Sequence, residues 1–333
     1  MAEAIVKEIS EAPSSGNKSA APKRKKWHRN NIEVFIMAMA GLIFLAVFSY
    51  APMVGIILAF KDADNTLDLF GAMFGGEWAQ MHGFFNFYRF VTDIDFWNVI
   101  LNTLGFNILN LVITLPLPVI LALMFSEMKH ARLSKGIQFF MFLPHFLSIV
   151  VYVGIVWAML DDGYGGGVGV INVLIEAFGG DRINFKASPQ YSWAIMIVAN
   201  VLKSSGWGSI IYLAAITGVD VELYDAAALD GVNRFQKAWY ITLPTVMPVF
   251  TLNLITSLSG ILGNDSATML LWQTQMNLSR TEVLSTYVLK YGINNMQYSY
   301  ATAIGLFQSV IGVILICASN WVTKKINGEG VIF

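Results

Sequence analysis

Two groups of side chains in this sequence have the types and spacing to bind a solute, and none has the types and spacing to catalyse. In one apolar stretch Asn200, Lys203, Ser204 and Trp207 stand at i, i+3, i+4 and i+7; in the next, Asn253, Ser257, Gly260 and Asn264 stand at i, i+4, i+7 and i+11. On an α-helix each set falls along one face. Amides and hydroxyls can exchange paired hydrogen bonds with a polyol, and an indole gives the apolar face of a sugar ring a surface to stack on. Ser, Asn and Gly also pack helices against one another, so spacing leaves both readings open. Lys203 has three roles open to it: meeting an acidic sugar, pairing with a partner helix, or steadying carbonyls near a kinked region.

Catalytic and metal chemistry find no equivalent support. H-E-x-x-H, C-x-x-C and G-x-S-x-G do not occur, and His28, His82, His130 and His145 are too scattered to suggest a metal site. The phosphate-binding pattern G-x-x-x-x-G-K-[ST] is missing too, and the dipeptide Gly-Lys never occurs, so ATP must bind another subunit if it drives this protein. No catalytic residue, metal ligand or cofactor is therefore expected in this chain. Cys317 is the single cysteine, which excludes an intrachain disulfide, and its apolar neighbours predict a buried thiol.

The elements that must position the two polar faces are membrane helices. The chain is 56% hydrophobic and 13% charged, with a mean hydropathy of +0.58, whereas a soluble domain carries about 25% charge. Its net charge of −1 points to no nucleic acid partner. A helix needs about 20 apolar residues to cross the hydrocarbon core. Six stretches qualify: Val34–Phe60, Phe96–Phe125, Ile137–Leu160, Tyr191–Gly218, Val246–Gly263 and Ser299–Val322. The fold class expected is an all-α integral membrane protein with six transmembrane helices. Residues 1–31 are expected to form a disordered basic cytoplasmic tail ahead of a membrane domain over 32–333. The first apolar run is too long for a cleaved signal and suits a retained helix.

Lysine and arginine placement sets the orientation. With the N-terminus inside, the tail, residues 126–136, residues 219–245 and the C-terminal end hold 14 of the 21 Lys and Arg. The opposite loops hold six, with the Asp161-Asp162-Gly163-Tyr164-Gly165-Gly166-Gly167 run among them. Both termini are thus expected in the cytoplasm. Pro116, Pro118 and Pro144 predict kinks whose freed carbonyls find partners inside the bundle. Tyr88, Phe96, Trp97, Tyr191, Trp193 and Trp321 fit interfacial anchors, and His145 fits a satisfied buried polar group.

Residues 219–245 have more internal order than a plain connection. Val221 to Asp230 is a run of good helix formers, Gly231 supplies a permissive turn, and a second amphipathic segment ends at Pro244. The expected product is a helix-turn-helix in the cytoplasm. Within it Asp225-Ala226-Ala227, three residues, Gly231, nine residues and Ile241-x-Leu243-Pro244 resemble the coupling loop of binding-protein-dependent ABC importer permeases, with Asp225 where the family pattern has Glu. The resemblance extends over nearly the whole chain after the tail and is closest to the carbohydrate branch, particularly polysaccharide and oligosaccharide permeases. Phe142 to Phe146, Gly206 to Ile216 and Tyr298 to Phe307 carry it further.

That resemblance implies a type I importer permease fold in the cell membrane and a second homologous permease subunit. It also implies an ATPase pair docked on Asp225, Ala226, Ala227, Gly231, Ile241, Leu243 and Pro244, with ATP and Mg bound by that pair and not here. An extracytoplasmic solute-binding protein would deliver an oligosaccharide. Permeases of this kind line their path from the helices flanking the coupling loop, which favours Asn200, Ser204, Trp207, Ser257 and Asn264 as path residues, with Lys203 and Asn253 beside them. The alternatives are a permease for a non-sugar solute, a secondary transporter, or an assembly subunit. A secondary transporter usually carries membrane carboxylates, and no Asp or Glu falls inside the six stretches.

Overall fold

The computed structural model describes residues 29–327 apart from Asn65, Leu67 and Gly165. The expected basic tail lies almost wholly outside these. Two units separate, Met1–Val54 and Gly55–Phe333. In the first, helix α1 (Arg29–Leu45) runs on through a π turn at Ala46–Tyr50. Leu42, Phe44, Val47 and Phe48 are all exposed, the signature of a helix whose surroundings are apolar on every side.

In the second unit α2 (Phe96–Thr114) and α3 (Pro116–Ser126) follow each other as one 31-residue apolar length. Pro116 sits in the first turn of α3, where a missing N–H is harmless, so the expected kink is only a change of helix at Leu115. The third expected span departs from expectation. It is two helices, α4 (Ala131–Phe146) and α5 (Ile149–Met159), bent by 104°. Leu147 and Ser148 are extended, with ψ of 137° and 141°, and α5 alone is about 16 Å long, well short of a membrane.

Helix α6 (Pro189–Thr217) is the 29-residue centre of the fold. It packs on α2, α3 and α4, and a Cβ added at Gly206 would lie 2.3 Å from the Met141 carbonyl oxygen. Only glycine lets these backbones approach so closely. Next come α7 (Val221–Leu229), the short α8 (Arg234–Lys237), a π turn at Ala238–Thr242 and α9 (Leu243–Ser259). The second segment of the loop therefore does not end at Pro244. Proline cannot donate to the preceding turn, and the π turn before it lets the helix continue, giving a span over Arg234–Ser259.

Opposite the 219–245 loop, α10 (Ser266–Trp272), α11 (Leu284–Leu289) and the first turns of α12 (Tyr298–Asn327) form the rest of the core. Leu284, Tyr287, Tyr300 and Ile304 are wholly buried there with Phe90 and Phe96. Phe96 is thus a core residue and not an interfacial anchor. Trp193 is also committed, donating from Nε1 to the Arg280 carbonyl at 2.6 Å. Cys317 is exposed on α12, contrary to expectation, because apolar neighbours on a membrane helix mark a lipid-facing side as readily as a core.

Candidate translocation path and coupling loop

Helices α2, α6 and α9 enclose a cavity of about 340 Å³ lined by Asn107, Asn110, Asn200, Lys203, Ser257 and Asn264, among others. A second cavity, of about 620 Å³, is lined by Ser204, Trp207, Asn253 and Ser257. Leu111, Thr114 and Ser257 line both, so the two cavities share this part of their lining. All seven expected path residues face one cavity or both.

Their hydrogen bonds refine the expected picture. Asn200 Nδ2 donates to Asn110 Oδ1 at 2.9 Å. Asn107 and Asn264 form a reciprocal amide pair, each bond 2.9 Å, and Asn107 Nδ2 also reaches the Ile261 carbonyl at 2.6 Å. Asn253 Nδ2 donates to Tyr212 Oη at 2.9 Å, and the Ser204 hydroxyl donates to the Asn200 carbonyl at 2.6 Å. Each amide has further donors and acceptors beyond its pair. Among the described residues the Ser257 hydroxyl has no hydrogen-bond partner. Asn264 is not on the face of α9, which stops at Ser259 with Gly260 as its cap; it faces the cavity from the link to α10.

Two residues prove to hold the broken span. Lys203 Nζ donates to the carbonyls of Pro144, His145 and Leu147 at 3.1, 3.3 and 2.7 Å; Pro144 also accepts the Leu147 N–H at 3.3 Å, and the other two are acceptors left free where α4 ends. This selects one of its three open roles. One turn along, Trp207 stacks on His145 with centroids 4.7 Å apart and planes within 2°, and Phe146 meets its ring edge-on at 5.5 Å. One indole face is therefore occupied, and His145 is only partly buried, not the enclosed polar group expected.

Sequence reasoning missed the contribution of α2. Asn107, Asn110 and Thr114 stand at i, i+3 and i+7, the same spacing that marked α6, and would have been found by it. Asp265 was missed as well. It caps α10, and the Thr268 hydroxyl, together with the Thr268 and Ala267 amides, holds its carboxyl below the usual carboxylate range against a smaller opposing effect of burial. A fixed anion therefore shares the first cavity with Lys203.

At the other end, α7 is capped by Asp220, which accepts from the Glu222 amide at 3.0 Å. Asp225 and Ala226 are exposed and Ala227 is buried. Gly231 has φ of +74° with open space around its Cβ direction, so backbone alone requires glycine. Asn233 and Gln236 close a reciprocal capping box at α8. Lys237 binds Glu127 at 2.9 Å, and the Tyr224 and Thr242 hydroxyls lie 3.0 Å apart. Ile241 is partly buried, Leu243 likewise, and Pro244 is exposed. The loop is thus braced from beneath and leaves Leu223, Leu229 and Phe235 exposed, Leu229 at 91%.

Relatives carry the same architecture. The model of the family described as binding-protein-dependent transport system inner membrane component matches residues 95–328. Protein LplB of Bacillus subtilis (strain 168) is 36% identical over 313 residues, 93% of this chain and 92% of the relative. The polygalacturonan/rhamnogalacturonan transport system permease protein YteP of the same organism is 36% identical over 299 residues, 90% of this chain and 89% of its own. A crystal structure of a bacterial ABC transporter involved in the import of the acidic polysaccharide alginate aligns with a TM-score of 0.80 at 31% identity, over 89% of this chain and 96% of that one. The same transporter in complex with an alginate pentasaccharide-bound periplasmic protein aligns equally well. The chain belongs to the binding-protein-dependent transport system inner membrane components: it is a permease subunit of an ABC importer.

Proposed function

We propose that this permease imports an oligosaccharide through the two joined cavities, handed over by an extracytoplasmic solute-binding protein and driven by a partner ATPase pair docked on residues 219–245. The observation that carries the reading is that Leu111, Thr114 and Ser257 line both cavities, which between them gather amide, hydroxyl and indole groups from α2, α6 and α9. Asn200, Asn107, Asn110 and Asn264 offer paired donors and acceptors suited to vicinal hydroxyls. The free face of Trp207 suits a sugar ring. The named cargo of YteP and of the alginate transporter supports the same class.

ATP and Mg belong to the partner subunits in this reading, and N- and C-termini face the cytoplasm with them. Closure of the ATPase pair would move α7 as a rigid lever, rock this subunit against a second homologous permease, and change which cavity is open. Exposed Leu223 and Leu229, on the same helix as Asp225, give the docking partner an apolar surface. The test is uptake by proteoliposomes holding the complete transporter with its solute-binding protein. Saturable, ATP-dependent uptake of an oligosaccharide is expected; uptake of amino acids or peptides with no competition from sugars would overturn the assignment.

A further inference from the structure

Beside the coupling loop lies a groove of about 750 Å³ that takes no part in the path. Its apolar lining comes from Leu123 and Met124 on α3, Leu133 on α4, and Phe235 and Trp239 beyond the Gly231 turn. Two cations, Lys129 and Arg234, stand along it together with His130, all exposed. Glu127 is the one carboxylate there, and Lys237 already neutralises it at 2.9 Å. Among the described residues neither cation has a carboxylate partner.

We propose that this groove binds an anionic phospholipid of the inner leaflet, its phosphate between Lys129, His130 and Arg234 and an acyl chain along Leu123, Met124 and Trp239. The vertical order of the lining is the argument. Leu123 and Met124 belong to the apolar length that ends at Ser126, so the apolar floor of the groove is the end of a membrane helix, a surface that acyl chains cover. Lys129 and His130 follow soon after that end and Arg234 opens the span Arg234–Ser259, positions at helix ends where anionic lipid attracts lysine and arginine. Trp239 is 66% exposed and sits where an amphipathic ring favours the interface. An acidic protein surface would satisfy the cations but would leave the groove floor unfilled.

A lipid held here would touch α3, α4 and α8 at once, and through Lys237 the base of the coupling loop. The test is native mass spectrometry of the detergent-purified transporter titrated with phosphatidylglycerol or with phosphatidylcholine of the same acyl chains, a readout independent of the sidedness and cargo proposed above. The wild type should retain phosphatidylglycerol preferentially. Lys129→Gln with Arg234→Gln should weaken that retention by roughly thirtyfold, about fivefold for each charge removed. Met124→Trp, which fills the floor and leaves every charge in place, should weaken it too. Equal retention of the two lipids, or unchanged adducts in both variants, would overturn the proposal. Loss of the ATPase subunits from the charge variant would also overturn it and make the groove part of the protein interface.

Discussion

Lys203 shows how one side chain can serve a path without binding its cargo. Its ammonium caps three carbonyls at the end of α4, and removing it leaves those of His145 and Leu147 without a donor, a cost of about 1–3 kcal/mol. Lys203→Met should lower the thermal stability of the purified complex and depress uptake of neutral and acidic oligosaccharides alike, with Lys203→Arg retaining much of both. Selective loss of acidic cargo would instead make the ammonium a cargo ligand. The amides behave differently. Asn264→Ala removes a neutral hydrogen-bonding group worth about 0.5–1.5 kcal/mol, so transport affinity should fall roughly two- to tenfold while basal ATPase activity stays near wild type. Trp207→Ala should cost more, because it removes a stacking surface and also frees His145. Unchanged saturable uptake in the Trp207→Ala, Asn264→Ala double variant would make these residues packing groups. That Asn200, Lys203, Ser204 and Trp207 share a face of α6, and Asn253 and Ser257 one of α9, was legible from spacing; that these faces line a path rather than a packing seam was not, and rested on the family resemblance. The pairing of Asn264 with Asn107 was not, since it joins residues 157 positions apart on elements whose contact no local pattern encodes.

Among elements, the coupling loop was the most legible, because capping and turn chemistry are local. Gly231 lies at φ +74°, where an L side chain costs about 1–2 kcal/mol and a β-branched one is worse placed still. Gly231→Val should insert and assemble, yet lose the ATPase stimulation produced by the solute-binding protein; wild-type stimulation and uptake would remove this turn from the mechanism. The third span was the least legible. Hydropathy averaged over Ile137–Leu160 is blind to two extended residues at Leu147 and Ser148, and Pro144, which hinted at a kink, lies inside α4 rather than at the break. What stabilises the break is tertiary: Lys203 and Trp207 on α6 supply the donor and the ring that the chain locally lacks. The start of the fifth span at Arg234 was hidden for a related reason, since a π turn ahead of Pro244 lets a helix pass where proline normally marks its edge.

Across the whole molecule, the side carrying Glu127 and Lys237 is one surface, tied by their ion pair, and the side carrying residues 161–190 and 264–297 is the other, tied by Thr274 to the Lys186 carbonyl at 2.8 Å and by Trp193 to Arg280. On the proposed orientation a reporter fused at Asn233 should report the cytoplasm and one at Gly166 the exterior; reversed labelling would invert the access sequence and take the loop away from the ATPase proposed to dock there. The central claim is that cargo crosses where the two cavities meet. Ser257 lines both, is exposed and has no hydrogen-bond partner among the described residues, so a large side chain there can fill the junction without breaking a bond of the fold. The direct measurement is oligosaccharide uptake and basal ATPase activity of Ser257→Trp, side by side, in proteoliposomes. Uptake abolished with ATPase activity kept is the predicted result, and wild-type uptake through Ser257→Trp would contradict the account.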